Sequence, residues 1–280
     1  MSEKILKALM QLFAIITKQD GGVTENERKY VKDFLDSQLE QEKIEEYFSL
    51  YDSFLKEDSA SIKKQNKSSI KEVDYSKLSE EEIKKEKLKA KRRQRKEQLK
   101  KLALEREGKT TQRTSVADSV KTLSICKSIN KTLSQKQKVV VLSCLFELIK
   151  SDHRFTDQRM QIIDTVADVF NFDKKEFNEI QTFIVNDEPN KLDIEDVLVL
   201  SDDIEPQFSN AMFTRAEFLD GLLVIMKVPS VELYFLRYLG QEELRLNGLI
   251  LNNKRVYLFA PGSTIRPVKA KPIYYSDIVA

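Results

Sequence analysis

Apolar and polar positions alternate by one rule up to about residue 186 and by another after it. In the first part, apolar residues recur at three- and four-residue spacing, the period of an amphipathic helix. Ile5, Leu9, Leu12, Phe13 and Ile16 share one helical face; Tyr30, Val31, Phe34 and Leu35 share a second; Ile44, Tyr47, Phe48, Tyr51 and Leu55 share a third. Val116, Val120, Leu123, Cys126 and Ile129 predict a further helix. Val140, Val141, Leu145, Leu148 and Ile149 cover more than one face and predict a central one. Segments near Asp157–Phe170 and Asp173–Val185 bring the expected number to about seven. Thr24 with Glu27, and Ser134 with Gln137, have the spacing of capping boxes, and Gly21-Gly22 is the stop between the first two helices.

All six prolines then fall between Pro189 and Pro272, so a proline-free helical body ends near Asn186. Leu222–Val228, Val231–Leu239, Glu243–Leu246, Leu249–Leu251, Arg255–Phe259 and Ile273–Val279 read as short strands. Asn247-Gly248 is a favourable two-residue hairpin turn. The chain stops inside the last of these strands without a polar tail, the pattern of a truncation, so a further segment is expected beyond Ala280.

The helical part states one stretch twice. At an offset of 152 − 20 = 132, Lys18-Gln19-Asp20-Gly21-Gly22-Val23-Thr24-Glu25 matches Lys150-Ser151-Asp152-His153-Arg154-Phe155-Thr156-Asp157. Each copy reads Lys-x-Asp, two linker residues, an apolar residue, Thr and an acid. Tyr30, Val31, Phe34 and Leu35 then answer Ile162, Ile163, Val166 and Ala167. Two helical hairpins related by an internal repeat follow from this. The expected organisation is a first half over 1–55, a charged insertion over 56–113, a second half over 114–188 and a small β-domain over 189–280.

Net charge is only +2, but it is unevenly placed. Between Lys84 and Arg106 stand twelve Lys/Arg and three Glu, 12 − 3 = +9, leaving 2 − 9 = −7 for the remainder. The capping box Ser79-Glu80-Glu81-Glu82 starts a long exposed helix over Ser79–Glu107. Its cations Lys89, Lys91, Arg92, Arg93, Arg95 and Lys96 can meet an anionic membrane surface by charge alone. No aromatic residue lies between Lys84 and Arg106, which argues against nucleic-acid stacking, and a solvated linker helix explains the same residues. Cys126 and Cys144 lie inside helical patterns, so no disulfide framework is expected. With no secretory h-region after Met1 and no apolar run of membrane length, a cytoplasmic location is expected.

Candidate chemistry is sparse. Asp20 and Glu25 at one helix junction, and Asp152 and Asp157 at the other, offer oxygen ligands suited to Ca²⁺ or Mg²⁺. The same residues also suit turn shaping and helix N-termini, and His153-Arg154 puts positive charge in the second loop. His153 is the only histidine. There is no Gly-x-x-x-x-Gly-Lys-Ser/Thr phosphate loop and no catalytic constellation, so no enzyme activity and no cofactor beyond a divalent cation are expected of these residues.

The repeated Lys-x-Asp-x-x-apolar-Thr-acid hairpin resembles the tellurite-resistance TerB family, an all-helical fold of repeated halves. That resemblance implies divalent-metal binding at Asp20, Glu25, Asp152 and Asp157. The order of parts, with Ile162–Phe172 and Leu233–Tyr238, is similar to the N-terminal cytosolic region of large bacterial ABC transporters that carry a TerB-like domain. This second resemblance implies a non-catalytic regulatory or assembly module at the inner face of the plasma membrane. The ATPase, with its ATP and Mg²⁺, and the membrane domains would then lie beyond Ala280 or on a partner chain. Leu246-Asn247-Gly248 and Gly262-Ser263-Thr264-Ile265 are similar to the closing strands of forkhead-associated domains. The alternative is a free-standing TerB-like protein that binds a divalent metal in tellurite or envelope stress.

Overall fold

The computed structural model describes residues 3–19, 22–68, 116–202, 208–253 and 255–279. Helices α1 (Glu3–Thr17), α2 (Glu25–Gln38) and α3 (Gln41–Ser68) are followed by α4 (Val116–Asn130), α5 (Gln135–Asp152), α6 (Asp157–Phe170) and α7 (Lys174–Val185). The repeat is exact in its second helix: 25 + 132 = 157 and 38 + 132 = 170, so the bounds of α2 become those of α6. The same offset carries Glu3, the start of α1, to Gln135, the start of α5. The capping boxes form as expected at Thr24–Glu27 and Ser134–Gln137.

Three details depart from the sequence pattern. The first helix does not bury a single face: α1 is enclosed on nearly every side from Ile5 to Thr17, as α5 is from Val139 to Lys150. The two central helices are therefore repeat-related, and each is the apolar rod that only a core position accommodates. In α4 the buried stripe runs through Thr122, Cys126 and Ile129, leaving Val120 60% exposed. Helix α3 continues to Ser68, past the expected start of the insertion. The helix expected over Ser79–Glu107 and the six cations named on it lie outside the described residues.

Beyond a short 3₁₀ turn at Pro189–Leu192, the described residues form nine strands and a terminal helical turn. A five-stranded sheet has the order β2-β1-β3-β4-β7, where β1 is Val197–Ser201, β2 Met212–Arg215, β3 Leu222–Val228, β4 Leu233–Leu239 and β7 Tyr257–Phe259. A second sheet has the order β6-β5-β8-β9, from Leu249–Ile250, Leu244–Leu246, Thr264–Pro267 and Ile273–Tyr274. Among the described strands only β1 and β2 pair in parallel. Strands β1 and β2 were not expected from the sequence, and β8 only through the resemblance of Gly262-Ser263-Thr264-Ile265 to a closing strand. The strand expected through Val279 stops at Tyr274, where the backbone N–H donates to Asp277 and Tyr275–Val279 turn into helix α8. The Asn247-Gly248 turn forms as expected, with both residues at positive φ (52° and 88°).

Strand alternation sorts the first sheet into two faces. Val197, Val199, Val224, Met226, Val228 and Phe235 join the same apolar core as the helices, whereas Leu200, Leu223, Ile225, Leu236 and Tyr238 face the second sheet. The layers are therefore helices, sheet, sheet. Arg237 of β4 points to the helical side in step with Phe235 and is fully buried there.

Candidate functional site

Two neighbouring clusters of charge are built by these elements. The first lies where the halves of the repeat meet. Thr24 caps α2, and Glu27 closes the capping box by accepting through Oε2 from the Thr24 N–H at 2.8 Å. Its second oxygen, Oε1, lies 2.9 Å from Nη2 of Arg159, and both side chains are fully buried. Arg159 occupies in α6 the position Glu27 holds in α2, since 27 + 132 = 159. Thr156 caps α6 as Thr24 caps α2, but an arginine at the third position cannot accept the return hydrogen bond. Its guanidinium reaches outward instead, and Nη1 donates to Asp152 at 3.0 Å to Oδ1 and 3.2 Å to Oδ2. The Asp152 side chain is only 3% exposed; it also accepts the Arg154 N–H at 3.1 Å and has Arg154 Nε at 3.7 Å. Burial pushes the Glu27 carboxyl above its ordinary range, while the Thr24 N–H and the Arg159 charge oppose that rise.

The second cluster lines a cleft of roughly 340 Å³ between α2, the end of α5 and the loop before β7. Glu147 of α5 accepts from the Tyr30 hydroxyl at 3.2 Å and from the Val256 N–H at 2.9 Å, so one carboxylate ties α2 and the sheet to the central helix. Arg255 pairs with Asp33 at 2.8 Å across the same gap. Lys150, with its side chain 7% exposed, donates to Asp187 at 2.5 Å. The same Asp187 oxygen accepts from Nη2 of Arg237 at 2.5 Å. Arg237 also donates to the carbonyls of Phe183, at 2.7 Å, and Asn186 at the end of α7. A cation there suits the negative end of the helix.

These environments move the ionisable groups in consistent directions. Burial, then repulsion from Arg237, lowers the Lys150 amine. Burial raises the Glu147 carboxyl against the Val256 and Tyr30 hydrogen bonds. Burial would raise Asp187 too, but the Lys150 hydrogen bond and the charges of Lys150 and Arg237 outweigh it and hold Asp187 below the usual carboxylate range. Burial also raises both thiols, Cys126 to about 12, so they stay protonated and unreactive at neutral pH.

Of the four carboxylates singled out in the sequence, Asp152 reaches the inter-half junction, where Arg159 holds it. Glu25 and Asp157 lie exposed on the first turns of α2 and α6, and Asp20 lies outside the described residues. His153 is exposed in the left-handed cap that ends α5. Among the described residues no group of three or more His, Cys, Asp or Glu is arranged to hold a metal. Sequence reasoning treated Glu27 only as a cap and passed over Arg159. The signal was available: the offset of 132 pairs an acid with a base at matched positions of two otherwise matching helices.

The family model of the tellurite resistance protein TerB matches residues 6–182, which is 182 − 6 + 1 = 177 of 280 residues. The chain belongs to the TerB family. The match spans both halves of the repeat and ends inside α7, so the sheets lie outside the TerB region. Comparison with curated proteins gives no match, and comparison with solved structures gives none. Among the described residues no helix is long and apolar enough to cross a membrane.

Proposed function

We propose that this TerB-family chain is a non-catalytic regulatory or assembly module of an ABC-type transporter, acting at the cytoplasmic face of the membrane. In this reading the helical body receives a partner or signal, and the sheets carry the response toward an ATPase. The observation that best supports it is the polar wiring between the two parts. Arg237 of the sheet is anchored on α7, Asp187 links it to Lys150 of the central helix, and Glu147 holds the Val256 backbone. A rigid coupling of this kind suits a relay. The absence of a phosphate-binding loop from the sequence fits a chain that leaves ATP hydrolysis to another segment. The transporter assignment itself rests on sequence resemblance.

The test uses native cells. An antibody raised against the helical body is used to recover its antigen from the membrane fraction, and peptides are identified by mass spectrometry. The proposal expects peptides with a Walker A sequence on the same chain or in stoichiometric complex. Recovery solely of a soluble species of this chain's size, without an ATPase, would refute it. The basic stretch supplies a second arm: binding to anionic vesicles should vanish when residues 84–106 are deleted.

A further inference from the structure

The fold family implies a divalent cation at the acidic junction between the halves, and the residues present can be tested against that demand. A hard cation needs several converging oxygens and tolerates no fixed positive charge among them. Among the described residues the two buried carboxylates that converge, Glu27 and Asp152, do so on the guanidinium of Arg159, at 2.9 and 3.0 Å. The guanidinium is fully buried, so it is part of the packed interior and not a surface arm folded over the site. Arg154 Nε, 3.7 Å from Asp152, adds a second cation at the rim. A divalent ion does not fit this donor set.

We propose that Arg159 is a tethered counter-ion that takes the place of a divalent cation at the inter-half junction, making the TerB body of this chain metal-independent there. The repeat shows how one residue accomplishes this. With an acid at the matched position of both halves, the junction would collect Glu27, Asp152 and a third carboxylate, and would need an added cation. With arginine at position 159, the second half supplies the positive charge covalently. One guanidinium then neutralises acids from both sides of the repeat, bridging α2 and α6 to the end of α5. This inference is independent of the transporter reading.

The experiment compares thermal unfolding of the whole chain in chelator with unfolding in millimolar Ca²⁺, Mg²⁺ or Mn²⁺, for the wild type and two variants. The wild type should show no cation-dependent shift of Tm. Arg159→Gln should lose stability in chelator and recover part of it with at least one of the three ions, because its two carboxylates are then free to take a cation. The double variant Glu27→Gln with Arg159→Gln should lose that response. A wild-type Tm that rises with a divalent ion, and no longer does so in Asp152→Asn, would overturn the proposal. So would a folded Arg159→Gln variant indifferent to all three ions. If Arg159→Gln does not fold under any condition, the wild-type comparison with Asp152→Asn still decides.

Discussion

Replacing Arg237 by methionine removes the one charged side chain on the helical face of β4 and keeps most of its apolar bulk. The guanidinium satisfies the carbonyls of Phe183 and Asn186 at the end of α7 and shares Asp187 with Lys150. A buried carbonyl left without a donor costs about 1–3 kcal/mol. The Phe183 carbonyl loses a buried bond and incurs this in full; that of Asn186, nearer the surface, incurs less. Asp187 is 52% exposed and keeps Lys150, so the lost ion pair adds little after solvent screening. Relief of the Lys150–Arg237 repulsion offsets part of the cost. The sum is a loss of roughly 2–4 kcal/mol, or about 4–8 °C in Tm for a chain of this size. Urea unfolding followed by circular dichroism measures it, with Arg245→Met as the control. Arg245 is half-exposed and pairs with Glu243, so its loss should stay within about 0.5 kcal/mol. Arg237→Lys should recover little, because a single ammonium nitrogen lacks the planar fork that serves the two carbonyls through Nη1 and Asp187 through Nη2. Equal stability of Arg237→Met and Arg245→Met would refute the assignment of Arg237 as the anchor of the sheet.

Two other perturbations follow from the same contacts. Glu147→Gln fixes the neutral form at a position whose folded-state carboxyl is raised by burial. A raised carboxylate contributes most below its unfolded value and loses that contribution as pH rises through its folded value. The wild type should therefore gain stability relative to Glu147→Gln as pH falls from neutral toward the ordinary carboxylate range, measured as Tm across that window. A gap that widens in favour of the glutamine variant on acidification would contradict this. Thr24→Ala removes the cap of α2 and the hydroxyl that Glu27 contacts at 3.1 Å, and should cost about 1–2 kcal/mol in chemical unfolding. A cost within measurement error would show that α2 is held by packing alone.

The helices were legible because apolar periodicity is strong where one face must be buried, and the repeat related the buried positions of α2 to those of α6. The burial of α1 on all sides was harder to see, because Ala8, Ala14 and Thr17 look neutral in sequence yet are enclosed. Strands β3 and β4 were visible as apolar runs, as expected of strands covered on both faces. Strands β2 and β8 are four residues each and partly exposed, and β1 is an apolar run too short to separate from helix by period. The charged contacts were the least legible. Lys150, Asp187 and Arg237 are brought together from a helix end, a loop and a strand, and nothing local marks them as partners. Arg159 differs from these: its departure from the repeat was on the page, but reading it required knowing that positions 27 and 159 face one another.

Scanning calorimetry of the whole chain tests most directly whether helices and sheets form one mechanical unit. The shared core and the Arg237, Asp187 and Glu147 contacts predict one transition with equal calorimetric and van't Hoff enthalpies. Two separable transitions, with Arg237→Met shifting neither, would show the sheets to be an independent domain and contradict the coupling.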